Sequence, residues 1–182
     1  FCVYFYIDRL DQAQARMGVQ TETGGNNGYL FVARHKGCLV TILTLKQLSY
    51  TYPGASQPAL SNINFIIPEG QYVAVLGANG SGKSTLARCL NGLLPPQPGS
   101  VSFMGLDPSV STDRLTIRKN LAMVFQSPPD QIVASVVEED VAFGLENLGV
   151  SREEMLVRVR DALSLVGLWD ERGRPPRFLS SG

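Results

Sequence analysis

The string Gly77-Ala78-Asn79-Gly80-Ser81-Gly82-Lys83-Ser84-Thr85 constrains this chain more than any other feature. It fills the pattern G-x-x-x-x-G-K-[ST] completely, and it stands where that pattern has physical meaning. Ahead of it, Tyr72-Val73-Ala74-Val75-Leu76 is apolar on both faces, as expected of a central parallel strand covered by helices. Behind it, a helix is expected over Lys83 to Asn91, burying Leu86, Ala87 and Leu90, with Gly92 suited to the C′ position. Gly77, Gly80 and Gly82 let the backbone curl with its N–H groups pointing inward. Inward N–H groups and the positive end of the following helix make an anion nest. In such a nest Lys83 reaches the β- and γ-phosphates of a nucleotide, Ser84 places its hydroxyl on Mg2+, and Thr85 helps hold the α-phosphate.

Composition narrows the partners. Lys+Arg 16 balance Asp+Glu 16, which argues against a dedicated nucleic-acid binder, since that would carry a basic excess. Hydrophobic residues at 44% suffice for a buried core, and 182 residues suit about one domain, with or without an appendage. Charged residues at 18% fall below the roughly 25% of ordinary domains, which points to faces that meet partners. Cys2, Cys38 and Cys89 are scattered, no CxxC pair exists, and His35 cannot complete a zinc site with them, so reduced thiols in an intracellular protein are expected. No run approaches the roughly 18 apolar residues of a membrane span. Phe1 to Ile7 has no basic lead-in before Asp8 and Arg9, unlike a secretory signal.

Residues 1–40 read as a poorly structured or extraneous segment outside the domain: Asp11 to Asn27 lacks helical and strand periodicity and reads as loop. A partner-binding extension is the alternative. From residue 41 the signals sharpen. Thr41 to Tyr50 is a strand, Tyr52-Pro53-Gly54 a turn, and Ile63, Phe65 and Ile67 alternate along a half-buried strand that begins at Leu60. The short turns between them suggest an antiparallel sheet. Val101 to Gly105 reads as a short strand and Leu121 to Phe125 as a buried one, which puts Gln126 at its carboxyl end. A glutamine there ligates Mg2+, orients water, or merely caps loop backbone. Glu138, Glu139 and Asp140 are consecutive, so on a helix they diverge by about 100° each and form a solvated or docking face, not a metal site. Ser151-Arg152-Glu153-Glu154 is a capping box. The helix behind it turns Met155, Leu156, Val159, Ala162, Leu163 and Val166 to the core, and Gly167 ends it. Leu165 to Glu171 mimics an apolar strand ending in Asp-Glu, but that helix and its glycine stop occupy the same residues.

With its phosphate loop at residues 77–85, its Val124-Phe125-Gln126 string, a helical stretch, and Leu179-Ser180-Ser181-Gly182, the chain resembles the ATP-binding subunit of an ABC transporter over about residues 42–182. The string from Val124 to Val133, followed by Val137 to Asn147, resembles the energy-coupling-factor subgroup, which serves vitamin and cobalt or nickel uptake. The resemblance implies an α/β fold of the P-loop nucleotide hydrolase class. Its parts are an N-terminal antiparallel β-subdomain, a partial parallel core sheet and a helical subdomain at about residues 128–178, all within a domain at 41–182.

The resemblance also implies roles. Tyr52 stacks on adenine, and Gly77, Ala78, Asn79, Gly80, Ser81, Gly82, Lys83, Ser84 and Thr85 hold the phosphates of ATP. Ser84 and Gln126 ligate Mg2+. Lys83 and Gln126 serve catalysis, and Gln126 reports nucleotide state. Ser180 and Gly182 begin a signature loop that contacts ATP on a second ATP-binding subunit, identical or paralogous. The implied function is ATP hydrolysis that powers solute import through a transmembrane subunit, at the cytoplasmic face of the membrane. A truncated, non-catalytic nucleotide binder and a soluble ATPase of the same type are the alternatives.

Two departures stand out. Ser181 takes the place of a usual glycine in the signature, which adds a Cβ where backbone approaches phosphate. The family's acidic Mg2+ and water-activating residues and its γ-phosphate-sensing histidine lie downstream of the signature, beyond Gly182. The C-terminal part of the core is therefore expected to be missing, ATPase turnover by this chain alone to be negligible, and the edge of the phosphate-loop strand to be exposed, which favours aggregation.

Overall fold

The computed structural model describes residues 18–24, 28–34, 40–125 and 131–179. The chain divides into two compact units, Phe1–Met123 and Val124–Gly182.

In the first unit, β3 (Thr41–Tyr50) and β4 (Leu60–Pro68) pair antiparallel, and β6 (Val101–Phe103) pairs antiparallel with the other edge of β3. The period-two pattern explains the faces. Phe65 and Ile67 of β4 are buried while Ile66 between them is 56% exposed. In β3, Leu43, Leu45 and Leu48 are buried, and the register shifts between Leu45 and Leu48. That bulge holds Gln47 at φ 50, and its N–H donates to Asn64 Oδ1 at 2.7 Å. Leu86 and Leu90 of α1 (Lys83–Leu90), Ile117 of α2 (Ser111–Asn120), Val101 and Phe103 complete one apolar cluster with these strands. Burial of Cys89 in α1 pushes its thiol up to about 11, so it is no thiolate at neutral pH.

Three features differ from expectation. A strand, β1 (Gly18–Gly24), lies in the region read as loop, and with β2 (Gly28–Arg34) it forms an antiparallel hairpin. The strand that feeds the phosphate loop, β5 (Tyr72–Gly77), pairs antiparallel with β2, whereas a parallel central position was expected; the three-stranded order is β1-β2-β5. An apolar strand needs a hydrogen-bonding neighbour, and the hairpin supplies one along an edge the sequence left open. The third feature is Leu121–Phe125, which forms no strand: Leu121 closes α2 through its N–H to Ile117, and Val124 is 79% exposed. A strand exists only where a partner ladder exists, and among the described residues no pairing reaches this segment. Helix α2 carried little apolar signal, with Leu115 exposed and Ile117 buried.

A compact turn joins β6 to α2. Asp107 accepts from the Gly99 N–H at 2.7 Å and from the Ser109 N–H at 2.8 Å, and Arg114 donates to the carbonyls of Pro108 and Ser109. Burial acts to raise the Asp107 pKa, but the hydrogen bonds from Gly99 and Ser109 outweigh it, and the net shift is downward. A carboxylate whose folded pKa is depressed stabilises above its unfolded pKa and loses that contribution as pH falls through the folded value. Asp107→Asn is therefore expected to lower stability by about 1 kcal/mol at pH 7, after allowance for solvent screening. The gap from the wild type should close below about pH 4, the ordinary carboxylate range. Urea midpoints of both chains at pH 7 and pH 3 check this; a gap that is constant with pH rules it out.

The second unit holds α3 (Val137–Asn147) and α4 (Arg152–Leu165), followed by single 3-10 turns at Trp169–Glu171 and Pro176–Phe178. Ser151 caps α4 by accepting the Glu154 N–H at 3.3 Å, and Gly167 follows the helix at φ 70. Val137, Val159 and Leu163 form a small core beside Met155 and Trp169. Leu156, Ala162 and Val166, read as core-facing, are exposed: the buried stripe is narrower than the apolar one. Asp140 accepts the N–H groups of Val133 and Ala134, so it tethers the loop ahead of its own helix.

Candidate functional site

The phosphate-loop string forms a tight turn between β5 and α1. Gly80 and Gly82 take φ 81 and φ 91, values that only glycine adopts at little cost. The Ser81 N–H donates to the Ala78 carbonyl at 3.2 Å, which closes the turn. Helix α1 starts at Gly82 with no side-chain cap, and the first helical bond is Leu86 N–H to the Gly82 carbonyl at 2.8 Å. An uncapped helix start turns its first N–H groups toward whatever anion occupies the loop. Ala78, Asn79 and Gly80 are exposed, so the loop is open to solvent.

Lys83 is buried, and its ammonium sits across the loop. Nζ donates to the carbonyls of Gly77 at 2.8 Å and Ala78 at 2.7 Å, and to Ser81 Oγ at 3.3 Å. Those oxygens compensate a cation removed from water. Ser84 is exposed, whereas Thr85 is buried. The arrangement fits a polyphosphate: a positive charge, a helix N-terminus and an open glycine arch converge on one spot. It also fits a divalent cation beside those phosphates, because the exposed Ser84 hydroxyl is an oxygen ligand at the mouth of the loop.

The segment after β3 reaches this loop from the other sheet. The Tyr52 hydroxyl lies 3.1 Å from Thr85 Oγ1. The ring of Tyr50 meets the Tyr52 ring edge-on, with centroids 5.1 Å apart and planes at 85°. Farther along, the Ala59 carbonyl closes on Gly82: a Cβ there would fall 2.4 Å from that oxygen and 2.9 Å from a Leu60 methyl. The structure thus brings Tyr52 together with Gly77 to Thr85. Gln126, Ser180 and Gly182 lie outside the described residues, as do Cys2, His35 and Cys38. Sequence reasoning missed Tyr50 and Ala59. The i, i+2 aromatic pair Tyr50 and Tyr52 was a signal available for the first; the second depends on a carbonyl and carries none.

Among the described residues, no group of three or more His, Cys, Asp or Glu side chains is placed to hold a metal, and no helix is long and apolar enough to cross a membrane.

The ABC transporter family model matches residues 60–182. The energy-coupling factor transporter ATP-binding protein EcfA of Enterococcus faecium is 49% identical over 142 residues, which are 78% of this chain and 50% of that protein. EcfA1 of Lacticaseibacillus paracasei is 47% identical over 141 residues, again 78% of this chain and 50% of the relative. Among solved structures, cbiO1 from Clostridium perfringens, described as part of the ABC transporter complex cbiONQ, superposes with a TM-score of 0.64 at 32% identity. That match covers 78% of this chain and 56% of the other. The chain spans about half the length of the curated relatives it matches.

Proposed function

This chain belongs to the ABC transporter family, and we propose that it is the ATP-binding part of an importer motor of the energy-coupling-factor type. The observation that carries the reading is the built phosphate loop: Gly82 in a left-handed conformation that glycine adopts at little cost, Lys83 drawn across the arch, and an uncapped helix start beneath it. The 49% identity to EcfA of Enterococcus faecium supports the subgroup.

In this reading Gly77 to Thr85 wrap the phosphates, Lys83 neutralises the β- and γ-groups, and Tyr52 supplies the adenine-facing ring. Ser84 and Gln126 would hold Mg2+, which would neutralise charge on the phosphate oxygens. Lys83 keeps its ammonium within reach of the same oxygens, and Gln126 reports nucleotide state. Ser180 and Gly182 face the nucleotide of a second ATP-binding subunit. The chain works at the cytoplasmic face of a membrane, held there by a transmembrane partner, and the imported solute is a vitamin or a transition-metal ion.

The test has two arms. Labelling of the purified chain with 8-azido-ATP reads binding, and phosphate release at matched ATP reads turnover. Saturable labelling, chased by ATP and dependent on Mg2+, is the expected result. Labelling without release in the presence of a second ATP-binding subunit and the membrane partner makes the chain a nucleotide holder instead of a motor. Absence of saturable labelling overturns nucleotide binding itself.

A further inference from the structure

The hydroxyl that Thr85 offers the α-phosphate is already engaged by Tyr52, at 3.1 Å. Thr85 is buried, and a buried hydroxyl holds a hydrogen-bond partner. Tyr52 is 36% exposed, and its ring rests edge-on against Tyr50 instead of standing free. The loop that carries it is anchored at both ends. The Ala55 N–H donates to the Tyr52 carbonyl at 3.0 Å, and the Ala59 N–H donates to the Tyr50 carbonyl at 2.8 Å. At the far end the Ala59 carbonyl abuts Gly82. The side chain of Tyr52 thus hangs from a backbone fixed by hydrogen bonds at both ends of the loop, and its hydroxyl contacts the phosphate loop.

We propose that the Tyr52–Thr85 hydroxyl pair is a latch that polyphosphate must open, so that Tyr52 is a positioning residue whose ring and hydroxyl act on affinity in opposite directions. The inference rests on the nucleotide-binding reading above. The hydroxyl holds the ring beside the loop and keeps Thr85 occupied. An α-phosphate oxygen accepts from the Thr85 hydroxyl more strongly than a neutral phenol does, because charge-assisted hydrogen bonds are the stronger kind. Thr85 then turns to phosphate, and the freed ring is available to the base. The hydroxyl taxes binding by the strength of one neutral hydrogen bond, while the ring adds to it by stacking.

The test uses isothermal titration of the whole chain with Mg-ATP and with inorganic tripolyphosphate, which has no base to stack. Tyr52→Phe keeps the ring and removes the latch, and it is expected to bind both ligands about two- to tenfold more tightly, the equivalent of one net hydrogen bond. Tyr52→Ala loses both, so it should bind ATP more weakly than wild type yet tripolyphosphate more tightly. A side chain with only a structural role does not produce that reversal of sign between two ligands. Unchanged tripolyphosphate affinity in Tyr52→Phe overturns the latch while leaving nucleotide binding intact. If the wild-type chain binds neither ligand, the nucleotide reading falls and the latch with it. Thermal midpoints of the three chains within a degree or two of one another exclude unfolding as the cause of any difference.

Discussion

A Lys83→Ala chain is expected to bind Mg-ATP about ten- to a hundredfold more weakly than wild type, the loss of a charged hydrogen-bond donor to phosphate. The ammonium is buried in the arch, where its attraction for phosphate is little screened. The Gly77 and Ala78 carbonyls and the Ser81 hydroxyl, which are among its partners, are neutral and compete weakly with phosphate, and Ala78 lies at the exposed rim where water can replace the lost donor. The fold should consequently tolerate the change, with a loss of stability under about 1 kcal/mol. Titration of ATP into both chains, with far-ultraviolet circular dichroism as the check on folding, measures it. An affinity within twofold of wild type would remove Lys83 from the phosphate site.

The second large effect concerns two glycines of one loop that differ in their surroundings. Gly82 sits at φ 91, and a Cβ on it would meet the Ala59 carbonyl at 2.4 Å. Gly80 sits at φ 81 with nothing within 4 Å of its would-be Cβ. Both carry the conformational penalty of a left-handed residue, about 1–2 kcal/mol. Only Gly82 adds a clash with backbone, and overpacking of that kind costs about 1–3 kcal/mol more. Gly82→Ala should therefore destabilise the first unit by about 3 kcal/mol, and Gly80→Ala by about 1 kcal/mol. Chemical denaturation of both variants decides the matter. Equal midpoints would mean that the Tyr52 to Leu60 segment does not press on the loop, and the latch described above would lose its fixed backbone.

The same pair shows how far the sequence reaches into the site. The string Gly77 to Thr85 states which residues form the loop and what each can do, because its chemistry is local: glycine torsions, one lysine and one helix start. It does not state that Ala59 fills the space beside Gly82, because contact between residues 23 positions apart is a property of packing. Tyr52 falls between these cases. Its resemblance to an aromatic adenine-stacking position was legible, while its hydroxyl bond to Thr85 was not.

The elements divide in the same way. Helix α4 was legible because Ser151, Glu154 and Gly167 signal its two ends within a few residues of chain, and caps act locally. Strands β3 and β4 were legible because alternation and short turns specify a neighbour nearby in sequence. Leu121 to Phe125 has the composition of a strand, yet composition gives only a capacity to pair. In the folded chain Leu121 is engaged by α2 and by Asn91, whose side-chain N–H reaches its carbonyl at 2.9 Å. The hairpin at Gly18–Gly24 and Gly28–Arg34 is the converse case: no periodicity announced it, and its pairing with Tyr72–Gly77 supplies a ladder to the phosphate-loop strand. By itself, then, the sequence determined the phosphate loop, the capped helix and the family resemblance, each written in torsions and caps a few residues long. Only the tertiary structure decided which strand borders Tyr72–Gly77 and what Tyr52 holds, because hydrogen-bond partners far apart in the chain are chosen by packing and not by local preference.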